Sequence, residues 1–182
     1  MPKEKYDFAG WVTKNDTRCS DGVVIKHGAF KDNDQKTVPL VWNHNHSEPT
    51  NVLGHVMLHN DEKGVYGYGY FNETDEAKHA KELIKHGDIS AMSIGANRIK
   101  KQGQNVIHGM IYEVSLVLRG ANPGALIETV MAHSDDSVET DKAIIYTGNL
   151  IHSADDILEQ QEEEVQHMAE KTIGDILDTL NE

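Results

Sequence analysis

Apolar and polar positions alternate through most of the first 120 residues, and that alternation predicts strands. Residues 6–12, 22–25 and 37–42 form three such runs, and Pro39 suits an edge position or a strand start. Residues 52–59 and 65–71 flank Asn60-Asp61-Glu62-Lys63-Gly64, a polar turn ending in glycine, which predicts a hairpin. Tyr66, Tyr68 and Tyr70 alternate with Gly67 and Gly69, so the tyrosines share one face and the other has room for a close neighbour. The period then becomes helical over residues 72–86. Asn72 or Thr74 serves as cap, Ala77, Ala80, Leu83 and Ile84 form the apolar stripe, and Gly87 marks the stop. Two longer strands follow, 89–100 and 106–118, around Lys101-Gln102-Gly103-Gln104-Asn105. Residues 120–124 break the pattern, and 125–131 read as a short helix or strand. The prediction is an α+β domain built on a small β-barrel-like sheet core of about six to seven strands, with peripheral helices.

Charge changes where the pattern ends. Of the 182 residues, 1–133 hold 15 basic and 16 acidic side chains, net −1, whereas 134–182 hold 2 and 14, net −12. His133 to Ser137 reads as a linker, Ser153 caps a helix running to residue 170, and Ile173, Ile176, Leu177 and Leu180 make a last amphipathic stripe. Residues 1–131 are therefore expected to form the working domain and 132–182 an acidic linker and helical tail. Net acidity argues against electrostatic binding to nucleic acid or to an anionic membrane. The N-terminus lacks the apolar run of a secretory signal, and no stretch approaches the ~18 apolar residues of a membrane span. A single cysteine, Cys19, excludes an intramolecular disulfide and a Cys-rich zinc site. The default is a soluble protein of a reducing cytoplasm, with no cofactor expected.

Three residue types could carry chemistry. His44 and His46 follow the strand ending Val41-Trp42. A strand end beside a loop suits a general base, fixed by the sheet yet reachable by substrate; the plain alternative is a polar turn with solvated imidazoles. The same pair could join His55 and His59 around a metal, though no downstream carboxylate motif completes a zinc site. Ser93 lies in Ile89-Ser90-Ala91-Met92-Ser93-Ile94-Gly95. On a strand Ala91 and Gly95 flank it on its own face and leave clearance for a substrate backbone. Glu113 alternates with Ile111, Ser115 and Val117, an expensive place for a carboxylate unless a partner satisfies it. A hairpin centred on Gly103 sets Ser93 and Glu113 on one face. Their Cβ atoms would be about 5 Å apart if directly opposed, or about 7–8 Å if diagonal, and the larger gap suits a bridging imidazole. A one-residue slip would separate them. These residues make a Ser-His-Glu constellation, in which histidine takes the serine proton and the carboxylate orients the imidazole.

Three segments in this order carry a resemblance: Leu40-Val41-Trp42-Asn43-His44-Asn45-His46-Ser47-Glu48-Pro49 with Gly54 soon after; Ile89-Ser90-Ala91-Met92-Ser93-Ile94-Gly95; and Tyr112-Glu113-Val114-Ser115-Leu116-Val117 followed by Ala121-Asn122-Pro123-Gly124-Ala125. Over about residues 5–130 the chain resembles the prohead maturation proteases of tailed bacteriophages. The resemblance implies a fold like the herpesvirus capsid-assembly protease, a small β-barrel ringed by helices. It also implies a serine endopeptidase that works in the host cytoplasm, inside the assembling procapsid. Its substrates would be the scaffold protein and the N-terminal extension of the major capsid protein, and self-association is expected. By position His44 matches the family's base, Ser93 its nucleophile and Glu113 its third member. The family often has Asp after the histidine where this chain has Asn45, so His46 stays a second candidate base. Arg119 and Gly120, at a strand end, are the suggested donors for the tetrahedral intermediate. The rival readings are a catalytically silent capsid-assembly or scaffold-binding module of the same fold, and a metal-dependent hydrolase.

Overall fold

A computed structural model of the protein describes residues 5–131 together with the strand segments 143–147 and 150–152. The alternating runs become β1 (Phe8–Lys14), β2 (Val24–Ile25), β3 (Thr37–Trp42), β4 (Val52–Asp61) and β5 (Gly64–Phe71). Then come the single α-helix of the described residues, α1 (Asp75–His86), and β6 (Ala91–Gln102), β7 (Asn105–Val117) and β8 (Ile127–Met131). Two strands unforeseen in the sequence, β9 (Ala143–Thr147) and β10 (Leu150–His152), pair onward from β8. Residues 125–131, open between helix and strand, supply β8. The helices expected after Ser153 lie outside the described residues.

One mixed sheet holds the strands in the order β10-β9-β8-β1-β5-β4-β3-β7-β2, with β6 along β7. β7 is central: β3 and β2 run parallel to it on one edge, and β6 antiparallel on the other. The segment before β8 stitches the start of β6 towards β1. Met92 N–H donates to Ala125 O (2.9 Å), Ile127 N–H to Ser90 O (2.9 Å) and Trp11 N–H to Leu126 O (3.0 Å). That seam is a bridge at Ala91–Leu126 and not a continuous ladder, so the sheet is not closed. The mostly-sheet α+β class is as expected; instead of a ring of helices, the described residues contain α1 and two single 3-10 turns, Lys31–Asn33 and Pro49–Asn51.

Packing explains the tyrosine–glycine alternation. A Cβ on Gly69 would stand 2.2 Å from the Phe8 ring, and one on Gly67 2.6 Å from Val12 Cγ1, so bare glycines let β1 side chains reach the core. On the opposite face Tyr66 meets Trp11 (5.1 Å between ring centres), Tyr68 meets Tyr6 (5.2 Å), and the two tyrosines meet each other (5.4 Å). Phe8, Leu40, Leu58, Met92 and Leu116 are fully buried, and each such burial contributes about 1.5–3 kcal/mol. α1 has 12 residues, too few to be stable alone in water. Its Thr74 hydroxyl accepts from Ala77 N–H, and Gly87 closes it in the left-handed conformation (φ 89°). Buried Ala77, Ala80 and Ile84 and the 2.6 Å Lys81–Asp7 ion pair hold it to the sheet. No helix among the described residues is long and apolar enough to cross a membrane.

Candidate active site

His44 sits on a reversed turn at the end of β3. Asn43 and His44 both adopt positive φ (50° and 56°), and Asn45 N–H donates back to Trp42 O at 2.9 Å. Asn and His are among the side chains that tolerate this region best, so a polar Asn-His pair fits the turn where a β-branched pair would not. Parallel pairing sets Val41 beside Ser115 and Trp42 beside Leu116, and Asn43 N–H extends the ladder to Leu116 O (2.9 Å). The turn then folds His44 back over β7.

There the imidazole meets a buried carboxylate. His44 Nδ1 lies 2.5 Å from Glu113 Oε1; the histidine side chain is 41% exposed and that of Glu113 only 1%. The other oxygen, Oε2, accepts from Ser115 Oγ at 2.9 Å, and Ser115 Oγ accepts in turn from His44 N–H at 2.9 Å. Both carboxylate oxygens are thus occupied, as a buried charge requires. A carboxylate only accepts, so Nδ1 carries the hydrogen and the lone pair is left on Nε2.

Ser93 is half-buried on β6 and pairs directly with Ser115, while Gly95 pairs with Glu113. Relative to a hairpin centred on Gly103 the register is shifted by two at this level. Ser93 and Glu113 therefore stay on one face as diagonal neighbours, the arrangement that leaves room for an imidazole. One residue of the shift is set at the turn, where Gln102 pairs with Asn105, and the other is the net effect of bulges at Gly95/Ala96 and between Asn97 and Lys101. The structure brings His44 and Glu113 into contact and places Ser93 diagonal to Glu113 on the neighbouring strand, but among the described residues Ser93 Oγ has no hydrogen-bond partner and makes no bond to His44. The clearance at Gly95 has a different purpose from the expected one: a Cβ there would lie 2.3 Å from Glu113 Oε1 and 2.7 Å from its Cγ. The carboxylate, not substrate, fills that space.

The other candidates separate clearly. His46 is exposed, faces the Tyr112 ring at 6.1 Å and has no carboxylate, so His44 is the histidine joined to Glu113. His55 stacks on Tyr70 (4.9 Å) and His59 pairs with Asp34 (3.2 Å). Among the described residues no group of three or more His, Cys, Asp or Glu could hold a metal ion. Burial, and then the charge of Asp21, push the Cys19 thiol up, so it is a poor nucleophile. Gly120 approaches the strand of Ser93 so closely that a Cβ would lie 2.5 Å from Met92 O. Buried Asn122 fastens that loop, donating to Thr13 Oγ1 (3.0 Å) and Lys14 O (2.7 Å). Ser93 also lines a mainly apolar cavity of about 230 Å³ with Phe30, Ile94, Ile99 and Val106. Ser115 and Asn122 were not singled out from the sequence, although both lie in the third segment of the resemblance and Ser115 also stands two residues along the same face from Glu113.

The family model for the caudovirus prohead serine protease matches residues 4–141. The chain belongs to that family. Its members' description as serine proteases fits a site with a partly exposed serine beside a histidine–carboxylate pair. Among solved structures, the chain is similar to the KSHV protease, crystallised in complex with a hexapeptide phosphonate inhibitor. That likeness has a TM-score of 0.50 at 14% identity and covers 69% of this chain and 64% of the other. At that identity it bears on the fold alone, and the chain spans less than two thirds of that protein's length. No curated protein matches.

Proposed function

We propose that the protein is a prohead maturation serine endopeptidase. It would cleave the scaffold protein, the N-terminal extension of the major capsid protein and its own chain, inside the procapsid assembling in the host cytoplasm. The observation that carries this reading is the buried Glu113 carboxylate against His44 Nδ1, one diagonal step from Ser93. In this mechanism Ser93 Oγ attacks the scissile carbonyl carbon while His44 Nε2 takes its proton, and the Nδ1–H···Glu113 bond stabilises the resulting imidazolium. The tetrahedral intermediate collapses as His44 returns the proton to the leaving amine. Water, deprotonated by the same nitrogen, then releases the acyl group from Ser93. Arg119 and the backbone N–H of Gly120, on the loop that closely approaches Met92, would supply the donors for the oxyanion.

Residues 1–131 carry the chemistry in this reading, and the acidic 132–182 segment packages the enzyme with scaffold. Self-association would accompany assembly. The test is co-expression of a Ser93→Ala chain with its own capsid and scaffold proteins. Full-length precursors should persist where the wild type gives shortened products. Unchanged processing refutes the proposal, and processing lost without phosphonate reactivity at Ser93 in the wild type favours a silent assembly module.

A further inference from the structure

We propose that Ser115 is a positioning residue for the reaction, its single hydroxyl holding both the Glu113 carboxylate and the turn that carries His44. This rests on the endopeptidase reading above. A serine hydroxyl has one hydrogen to donate and two lone pairs to accept with. In this structure the hydrogen goes to Glu113 Oε2 and a lone pair receives His44 N–H, each at 2.9 Å, in a side chain with no exposure to solvent. The two bonds act on different degrees of freedom. The first fixes rotation of the carboxylate about its last torsion, so that Oε1 faces Nδ1. The second ties the backbone of a residue held at φ 56°, a conformation that histidine tolerates but that a neighbouring bond helps to keep.

Ser115 also sits where the parts converge. It pairs with Val41 on the strand that delivers His44 and with Ser93 on the strand that delivers the nucleophile. The base and its orienting carboxylate are therefore both referenced to the residue directly beside Ser93. Ser115 is not itself the nucleophile: it is fully buried and its donor is committed to Glu113, whereas Ser93 is partly exposed. The plain alternative is that Ser115 only satisfies two buried polar groups. It would then matter for folding but leave the geometry at Nε2 unchanged.

The experiment compares the wild type with Ser115→Ala, Ser115→Thr and Ser115→Cys in the full chain. The first readout is the rate at which a fluorophosphonate labels Ser93 in procapsids assembled with capsid and scaffold proteins. The second is the 15N shift of the His44 ring in the isolated chain. Loss of the clamp should slow Ser115→Ala labelling about 10–100-fold, the range of a misplacement of roughly 1 Å. Its ring shifts should move from one Nδ1–H tautomer towards a mixture. Ser115→Thr, which keeps the hydroxyl, should recover most of the rate. The cysteine variant, a near-isostere with a weak donor, should be slowed as well, and it decides the matter if the alanine variant does not fold. Wild-type labelling and unchanged shifts in the alanine or cysteine variant overturn the inference. If a Glu113→Gln chain also labels at the wild-type rate, the endopeptidase reading beneath it fails as well.

Discussion

Exchanging Glu113 for glutamine is expected to lower kcat by about 10⁴-fold while leaving the fold intact, the size of the loss when a triad carboxylate becomes an amide. The substitution is nearly isosteric in a site with 1% exposure, so it creates neither cavity nor clash. The damage lies in the proton. Ser115 Oγ already accepts from His44 N–H and donates to position Oε2. That donor selects the amide orientation with oxygen at Ser115 and nitrogen at His44. An N–H group facing Nδ1 forces the imidazole hydrogen onto Nε2, where a base for Ser93 needs a lone pair. Cleavage of capsid and scaffold precursors by the Glu113→Gln chain, with its unfolding midpoint measured alongside, checks this. A loss below tenfold in a folded variant would show that the carboxylate does not set the tautomer.

Gly95→Ala should also be damaging, though less so and for a different reason. The added methyl would stand 2.3 Å from Glu113 Oε1, 2.7 Å from its Cγ and 2.8 Å from Tyr112 Cζ. Contacts that short cannot persist, and the movable party is the end of the glutamate, which is pinned by His44 and Ser115. A displacement of about 1 Å is enough for a roughly 10²-fold fall in kcat/KM. Overpacking adds about 1–3 kcal/mol of destabilisation, readable as a lower unfolding midpoint. A variant that is destabilised yet fully active would mean that the methyl is absorbed elsewhere and the carboxylate stays in place.

Much of the site was legible in the sequence because strand parity is robust. Ser93 and Glu113 fall on one face whether they are opposed or diagonal, since a two-residue shift preserves the face and only a one-residue slip destroys it. Where the shift occurs was not legible. Bulges at Gly95/Ala96 and after Asn97 depend on tertiary packing; Gly95 inside a strand is a local hint of the first, but not of its effect on register. Gly95 itself was visible as missing bulk, but what fills that bulk needed the register. The turn at Asn43 and His44 reads only as polar sequence; its two positive φ values follow from β3 running parallel to β7 and having to fold back over it. Ser115 carried little signal because serine on a buried strand usually satisfies a local hydrogen bond, and its dual bonding appears only once His44 is above it. In the fold, the tyrosine–glycine alternation foretold close packing at Gly67 and Gly69, whereas β9 and β10 were passed over because their short apolar runs, Ile144-Ile145-Tyr146 and Leu150-Ile151 around Gly148-Asn149, sit inside an otherwise acidic tail.

The central claim is that Ser93 is a nucleophile activated by His44. It is tested most directly by treating assembled procapsids with a fluorophosphonate and mapping the adduct by peptide mass spectrometry. One adduct is expected, on Ser93, and it should disappear when His44 is replaced by alanine. An adduct on Ser90 or Ser115, or labelling of Ser93 that is indifferent to His44, would contradict it.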